Sequence, residues 1–323
     1  MNSTSDFLWQ FLIQFLADLT LALLLAGLAI AIASTSWRRD IHYFFGVQRP
    51  RRGAITVKLS CMNVLPHGCT GADVVTEGFV GPAMSELEYR FALRLAHSVQ
   101  TKPIARALRA LRDVPGSSID EPIVCDIRMS EQCPSDAPVD FSSTTELMER
   151  VKSGLRGGTY ILVGDPTYNA ATGYVLTNSS SRFRFVHGLP SDERRRRTVR
   201  IENVYHDAGS GVSEEHERSR EPDGSNVEYA ILERIMDWDG GIVFICAGTS
   251  TSATIAALRE LTHWRELAHR FDRHRGRQLS GHARKSNFGI LYQVRTANVE
   301  DVPAQTDVVE RWQYPPPGFR AEE

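Results

Sequence analysis

The chain has 323 residues, 42% of them hydrophobic and 24% charged, with a formal net charge of -2. That length and mixture exclude a disordered or fibrous protein and leave one large globular domain, or two small ones, plus an appendage. A charge so near zero argues against a protein built to bind a nucleic-acid backbone. Five cysteines with no C-x-x-C pair indicate neither a disulfide framework nor a zinc site, and a reducing compartment follows.

Phe7 to Ala33 is one apolar segment, interrupted by Gln10, Gln14, Asp18 and Thr20. It is long enough to cross the hydrocarbon core of a bilayer, about 30 Å or roughly 20 residues. A secretory signal needs a positive amino-terminal stretch and a short apolar run, whereas residues 1–6 hold no Lys or Arg, so a transmembrane helix is predicted over residues 1–36. Arg38, Arg39, Arg49, Arg51 and Arg52 follow it. The positive-inside rule then places the carboxy-terminal bulk in the cytoplasm and the amino terminus outside a cell (inner) membrane. Trp37, Tyr43, Phe44 and Phe45 are expected at the membrane interface as an aromatic belt, within a juxtamembrane linker of residues 37–54. Gln10, Gln14 and Asp18, four residues apart, share one helix face. Such groups are costly in lipid unless paired, which marks them for helix association and the chain for homo-oligomerisation. The bland alternative is an amphipathic lead-in over residues 7–18 lying on the outer surface.

A cytoplasmic α/β domain is predicted over residues 55–298. Its strand-like segments are Ile55 to Cys61, Ile123 to Met129, Thr159 to Val163, Arg182 to Val186, Thr198 to Tyr205, Glu228 to Trp238, Ile242 to Cys246 and Phe288 to Arg295. Helices are predicted from Ser85, where Ser85 and Glu88 fit a capping box, over Ile104 to Leu111, over Thr144 to Ser153, and from Ser252 to about Phe271. Asp207 to Ser225, dense in Glu, Arg, Ser and Gly, reads as an exposed loop. Residues 299–323, with Trp312, Tyr314 and a run of prolines, read as a tail. Alternating strands and helices at both ends of the domain imply a mainly parallel, Rossmann-like sheet. The consecutive strands between them imply an antiparallel extension or a small subdomain.

Ligands of an open α/β sheet bind outside the carboxyl ends of its strands. Two loops fit that position: Gly164, Asp165, Tyr168 and Asn169 after one apolar strand, and Gly248, Thr249, Ser250 and Thr251 after another. Asp165 or Asn169 suits a ribose hydroxyl or base edge, Tyr168 a stacked base, and the hydroxyl-rich loop at a helix start a phosphate. Equally, these residues suit ordinary turns and helix caps. Glu86 and Glu88 stand two residues apart, so they do not share a helix face and read as a solvated helix end rather than an acid/base pair. His263 and His269, six apart, do not make a metal pair. No metal or cofactor is expected.

The loops GDPTYN and AGTSTSAT resemble those of nucleotide-sensing domains of the SLOG and nucleoside deoxyribosyltransferase-like kind. Together with the single helix they resemble membrane-anchored effectors of bacterial antiviral systems. The resemblance implies a domain that senses a nucleotide second messenger, such as a cyclic nucleotide, and acts on the membrane, with lipids and a second copy of the chain as its other partners. The double-glycine loop followed by Glu that marks nucleotide-cleaving members is absent, with Ala247 and Ser250 near those places, which implies sensing rather than hydrolysis. Alternatives are an anchored enzyme cleaving a nucleotide or nucleoside glycosidic bond, with Glu86, Glu88 or Asp165 as its acid or nucleophile, and a membrane scaffold that recruits a partner through its tail.

Overall fold

The structure, a computed structural model, describes residues 3–46, 54–59, 62–63, 82–83, 86–99, 124–129, 145–155, 158–166, 168–187, 199–203, 215–238, 241–272, 287–297 and 303–314. In chain order these form α1 (Ser3–Phe45), β1 (Ala54–Leu59), β2 (Met62–Asn63), β3 (Pro82–Ala83), α2 (Glu86–Val99), β4 (Val124–Met129), α3 (Thr145–Gly154), β5 (Thr159–Val163) and α4 (Ala170–Asn178). They continue as β6 (Phe183–His187), β7 (Val199–Asn203), β8 (Glu215–Glu217), β9 (Ser219–Arg220), β10 (Asn226–Trp238), β11 (Gly241–Gly248), α5 (Thr251–Thr262), α6 (Trp264–Asp272), β12 (Asn287–Thr296) and β13 (Gln305–Tyr314).

One large sheet runs β13-β12-β10-β11-β5-β1-β4, with β9 paired to β10. The four strands β4, β1, β5 and β11 are mutually parallel. β10, β12 and β13 then extend the sheet in antiparallel fashion. β6, β7 and β8 form a separate three-stranded sheet, so both an antiparallel edge and a small subdomain are present. Residues of alternate faces feed two cores, as the two-residue strand period requires. On one side Ile55, Val57, Ile161 and Phe244 meet α2, α5 and α6. On the other, Leu162, Val243, Ile245 and Leu291 meet α3, α4 and Phe183 of the small sheet.

α1 is 43 residues long, about 65 Å at 1.5 Å per residue. Its stretch Phe11–Leu28 has a mean hydropathy of 2.1 with 0% buried, and is long and apolar enough to cross a membrane. Two expectations about its far end are corrected. The helix does not give way to a linker after residue 36 but continues to Phe45. Phe44 and Phe45, expected in an interfacial belt, are buried with Ile41 in the domain core. Phe44 lies 5.3 Å from Phe244 and 5.8 Å from Trp264 between ring centroids, and Phe45 lies 5.2 Å from Phe244. Burial of apolar area outweighs interfacial placement for these two rings, because the sheet offers a complementary aromatic surface.

Four further expectations change. Tyr314 and Trp312 belong to a sheet strand rather than a tail, since β13 hydrogen-bonds along β12 from Asn287↔Tyr314 to Arg295↔Gln305. The expected loop Asp207 to Ser225 contains β8 and β9, with His216 buried against Tyr229. The expected long helix from Ser252 breaks at His263, where the cap N–H bonds back to the Glu260 and Leu261 carbonyls before α6 begins. Glu88, expected at a solvated helix end, is 2% exposed. Ser85 of the capping box and the helix expected over Ile104 to Leu111 lie outside the described residues.

Candidate functional site

The chain crosses from β1 through α2 to β4 on one side of the sheet, then from β4 through α3 to β5, which lies on the other side of β1. Strand order therefore reverses between β1 and β5, and beside their carboxyl ends lies the position of the crevice in which ligands of open parallel sheets bind. The loop after β5 lies at this reversal and the loop after β11 is its neighbour, so the two sequence-predicted loops share one edge.

Gly164 makes the turn out of β5 at φ 103°, a conformation that suits glycine, and its N–H donates to the Cys246 carbonyl at 2.9 Å. Asp165 is 6% exposed, and its backbone carbonyl accepts from the N–H groups of Tyr168 and Asn169 at 3.1 and 2.9 Å. Tyr168 stands at the rim, 46% exposed. Asn169 is fully buried and uses its whole carboxamide inside the protein. Its Nδ2 donates to the Lys58 carbonyl of β1 at 3.1 Å and to the Val163 carbonyl of β5 at 2.8 Å. Its Oδ1 accepts from the Ala171 and Thr172 N–H groups at 3.1 and 3.3 Å. Two donor and two acceptor positions exhaust an amide. Asn169 thus ties together the carboxyl ends of β1 and β5 and caps α4.

At the second loop Gly248 is required by packing. A Cβ there would lie 2.6 Å from the Ala253 Cβ and the Thr254 N. Thr249 prolongs the strand: its N–H donates to the Tyr229 carbonyl at 2.9 Å and its Oγ1 accepts from the Tyr229 N–H at 3.1 Å. Ser250 caps α5, its Oγ accepting from the Ala253 N–H at 3.1 Å. Thr251 is half-buried in the first turn.

The Ser250 hydroxyl also donates to Oε2 of Glu228, at the start of β10. Glu228 is 0% exposed, and its Oε1 lies 3.3 Å from Nε of Arg218. Burial raises its carboxyl above the ordinary value, while the Ser250 hydrogen bond and the Arg218 charge pull the other way. A carboxyl group therefore already sits beside the positive end of α5, and a bound phosphate at Ser250 would face it. Sequence reading missed both Glu228, taken as an ordinary strand residue, and Arg218, placed in an exposed loop. The available signal was a carboxylate at the head of the strand, on the hydroxyl-rich loop's side of the run Tyr229 to Leu232.

Glu88 lies in the first turn of α2, which connects β1 to the parallel β4, and is 2% exposed. Gln14 and Asp18 are exposed on α1, far from this edge, and the side chain of Gln10 lies outside the described residues. Among the described residues there is no cluster of three metal-ligating side chains. Comparison with protein-family models, with curated proteins and with solved structures finds no match to this chain.

Proposed function

We propose that this protein is a membrane-anchored sensor and effector, of the kind used in bacterial antiviral defence. In this reading α1 spans the cell (inner) membrane with its amino terminus outside. The cytoplasmic domain, a Rossmann-like nucleotide-binding sheet, binds a nucleotide second messenger in the crevice and passes the event to α1 within a homo-oligomer. Asp165, Tyr168, Gly248, Thr249 and Thr251 line the ligand, Ser250 offers its remaining lone pair, and Gly164 and Asn169 shape the turn and floor. Glu228 beneath Ser250 favours a ligand that presents hydroxyl or amino groups to this loop and its phosphate elsewhere.

One observation carries the reading: β5 and β11 are held by α1 at their amino ends and bear the two crevice loops at their carboxyl ends. Thr159, the first residue of β5, donates its hydroxyl to the Phe45 carbonyl at 2.6 Å. Gly46 at φ 66° leaves no room beside it, since a Cβ there would lie 2.1 Å from Cδ1 of Ile242. β5 is 5 residues long, about 16 Å, so the crevice lies one strand length from the end of α1. A ligand can drive such a change only through different affinities for the two arrangements.

The test is thermal melting of the full-length protein in detergent against a panel of cyclic and linear nucleotides. Saturation a hundredfold above Kd stabilises by about 2.7 kcal/mol, a shift of several degrees for a domain of this size. A shift with one nucleotide and no turnover of it supports sensing. Turnover would instead support the anchored enzyme, which the buried Glu88 and Glu228 favour. No shift with any nucleotide sinks both readings and leaves the scaffold. Full-length protein is needed because a fragment beginning at residue 46 lacks Ile41, Phe44 and Phe45 from its core.

A further inference from the structure

α1 carries polar groups where a lipid-facing helix has none. The middle of Phe11–Leu28 falls between Leu19 and Thr20, so in a bilayer centred on that stretch Asp18 would lie at the depth of the midplane. The Thr20 hydroxyl is satisfied within the helix by the Leu16 carbonyl at 2.7 Å. No such bond serves Gln14 or Asp18, both of which are exposed, and none of the spanning stretch is buried against the domain. Intramembrane carboxylates face a bundle interior or a water-filled path rather than lipid.

A further copy of the same chain suits this face. Copies inserted in one direction are parallel, so their Asp18 carboxylates meet at one depth. Gln14 stands one turn away, about 6 Å along the axis, and its amide N–H groups complement a neighbour's carboxylate. On the same ridge Ala22 and Ala26 follow towards the domain, and small side chains permit close helix approach.

We propose that in a parallel oligomer Asp18, with Gln14 above it, forms a water-facing ring that binds and passes monovalent cations. The proposal rests on the reading of α1 as a membrane span and names what crosses there. Carboxylates concentrate cations and repel anions, while amide oxygens replace part of the hydration shell. Ala22 and Ala26 leave the path open below the ring.

The experiment uses full-length protein in phosphatidylcholine vesicles, with single substitutions Gln14→Cys, Leu12→Cys and Leu16→Cys. Each is treated with a cationic and with an anionic membrane-impermeant thiol reagent, and modification is read at the residue by mass spectrometry. Leu12 and Leu16 lie across the helix from Gln14. Residue 14 is expected to react at least about tenfold faster than residues 12 and 16, with the cationic reagent preferred by about tenfold, the lower end of electrostatic focusing in a charged cleft. Adding Asp18→Asn to Gln14→Cys is expected to abolish that preference while the protein stays in the vesicle. Residue 14 reacting no faster than residues 12 and 16, or equally with both reagents, overturns the cation path. Release of the wild-type protein from vesicles by alkaline carbonate overturns the membrane reading itself, a distinct failure.

Discussion

The two ends of the central parallel strands contrast sharply. At the amino ends of β5 and β11 the side chains are aromatic and dry: Phe44, Phe45, Phe244, Trp264 and Phe288 pack together. Arg234 lies among them, 3% exposed, with its guanidinium 5.7 Å from the Phe44 ring centre and its pKa lowered to about 10 by burial. At the carboxyl ends the side chains are hydroxyls, amides and carboxylates, held by hydrogen bonds to the strands themselves. One end is built to hold a helix firmly and the other to offer polar groups. Substitutions at the first should therefore cost stability, and those at the second should increasingly change binding instead.

The largest effect is expected from Phe45→Ala, which empties a fully buried site between β5, β11 and α6. Phe-to-Ala changes in cores cost about 3–5 kcal/mol, so melting of the full-length protein should fall by about 10 °C or more. A fall within 2 °C of wild type would show, on the same scale, that α1 is not seated on the domain.

Next comes Asn169→Ala, which uncaps α4 and leaves the Lys58 and Val163 carbonyls without their amide donor. Loss of the cap costs about 1 kcal/mol and the buried carbonyls add to it, giving roughly 2 kcal/mol. Denaturant unfolding measures it. Asn169→Asp, which keeps the cap oxygen and loses the donor, separates the two contributions.

Glu228→Gln probes charge at the carboxyl edge. Because the folded carboxyl is raised above its ordinary value, the native state binds the proton more tightly than the unfolded chain. That contribution is fully present below the unfolded value and is lost as pH rises through the raised folded one. Melting measured from pH 4 to pH 8 should show the variant gaining on wild type as pH rises. A gap that does not change with pH would mean that Glu228 keeps its ordinary proton affinity.

The smallest effect on stability, within about 0.5 kcal/mol, is expected from Tyr168→Ala at the rim. Its effect on binding is expected to be large, since a base stacked on an aromatic ring is worth about 1–3 kcal/mol. The same nucleotide melting series, compared between variant and wild type, reads both.

Much of this was legible in the chain itself. The apolar run from Phe7 to Ala33, the strand TYILV ending at Val163 and the strand before Gly248 are local patterns whose period and composition fix their type. The two crevice loops were found because turn glycines and hydroxyl caps announce a strand giving way to a helix. Glu228 was not legible as part of the site, because only the antiparallel register Ala230↔Gly248 brings the head of β10 beside Ser250.

By itself, then, the sequence determined one long apolar helix, an α/β domain and two candidate loops, because each rests on neighbours within a few residues. Tertiary structure alone decided that α1 ends inside the core, that the expected tail is an edge strand, that Asn169 bridges β1 and β5, and that Glu228 meets Ser250. Each of these depends on separate chain segments, more than 100 residues apart for the α1–β5 and Asn169–Lys58 contacts, finding complementary surfaces or unpaired carbonyls, and no local period encodes such a meeting.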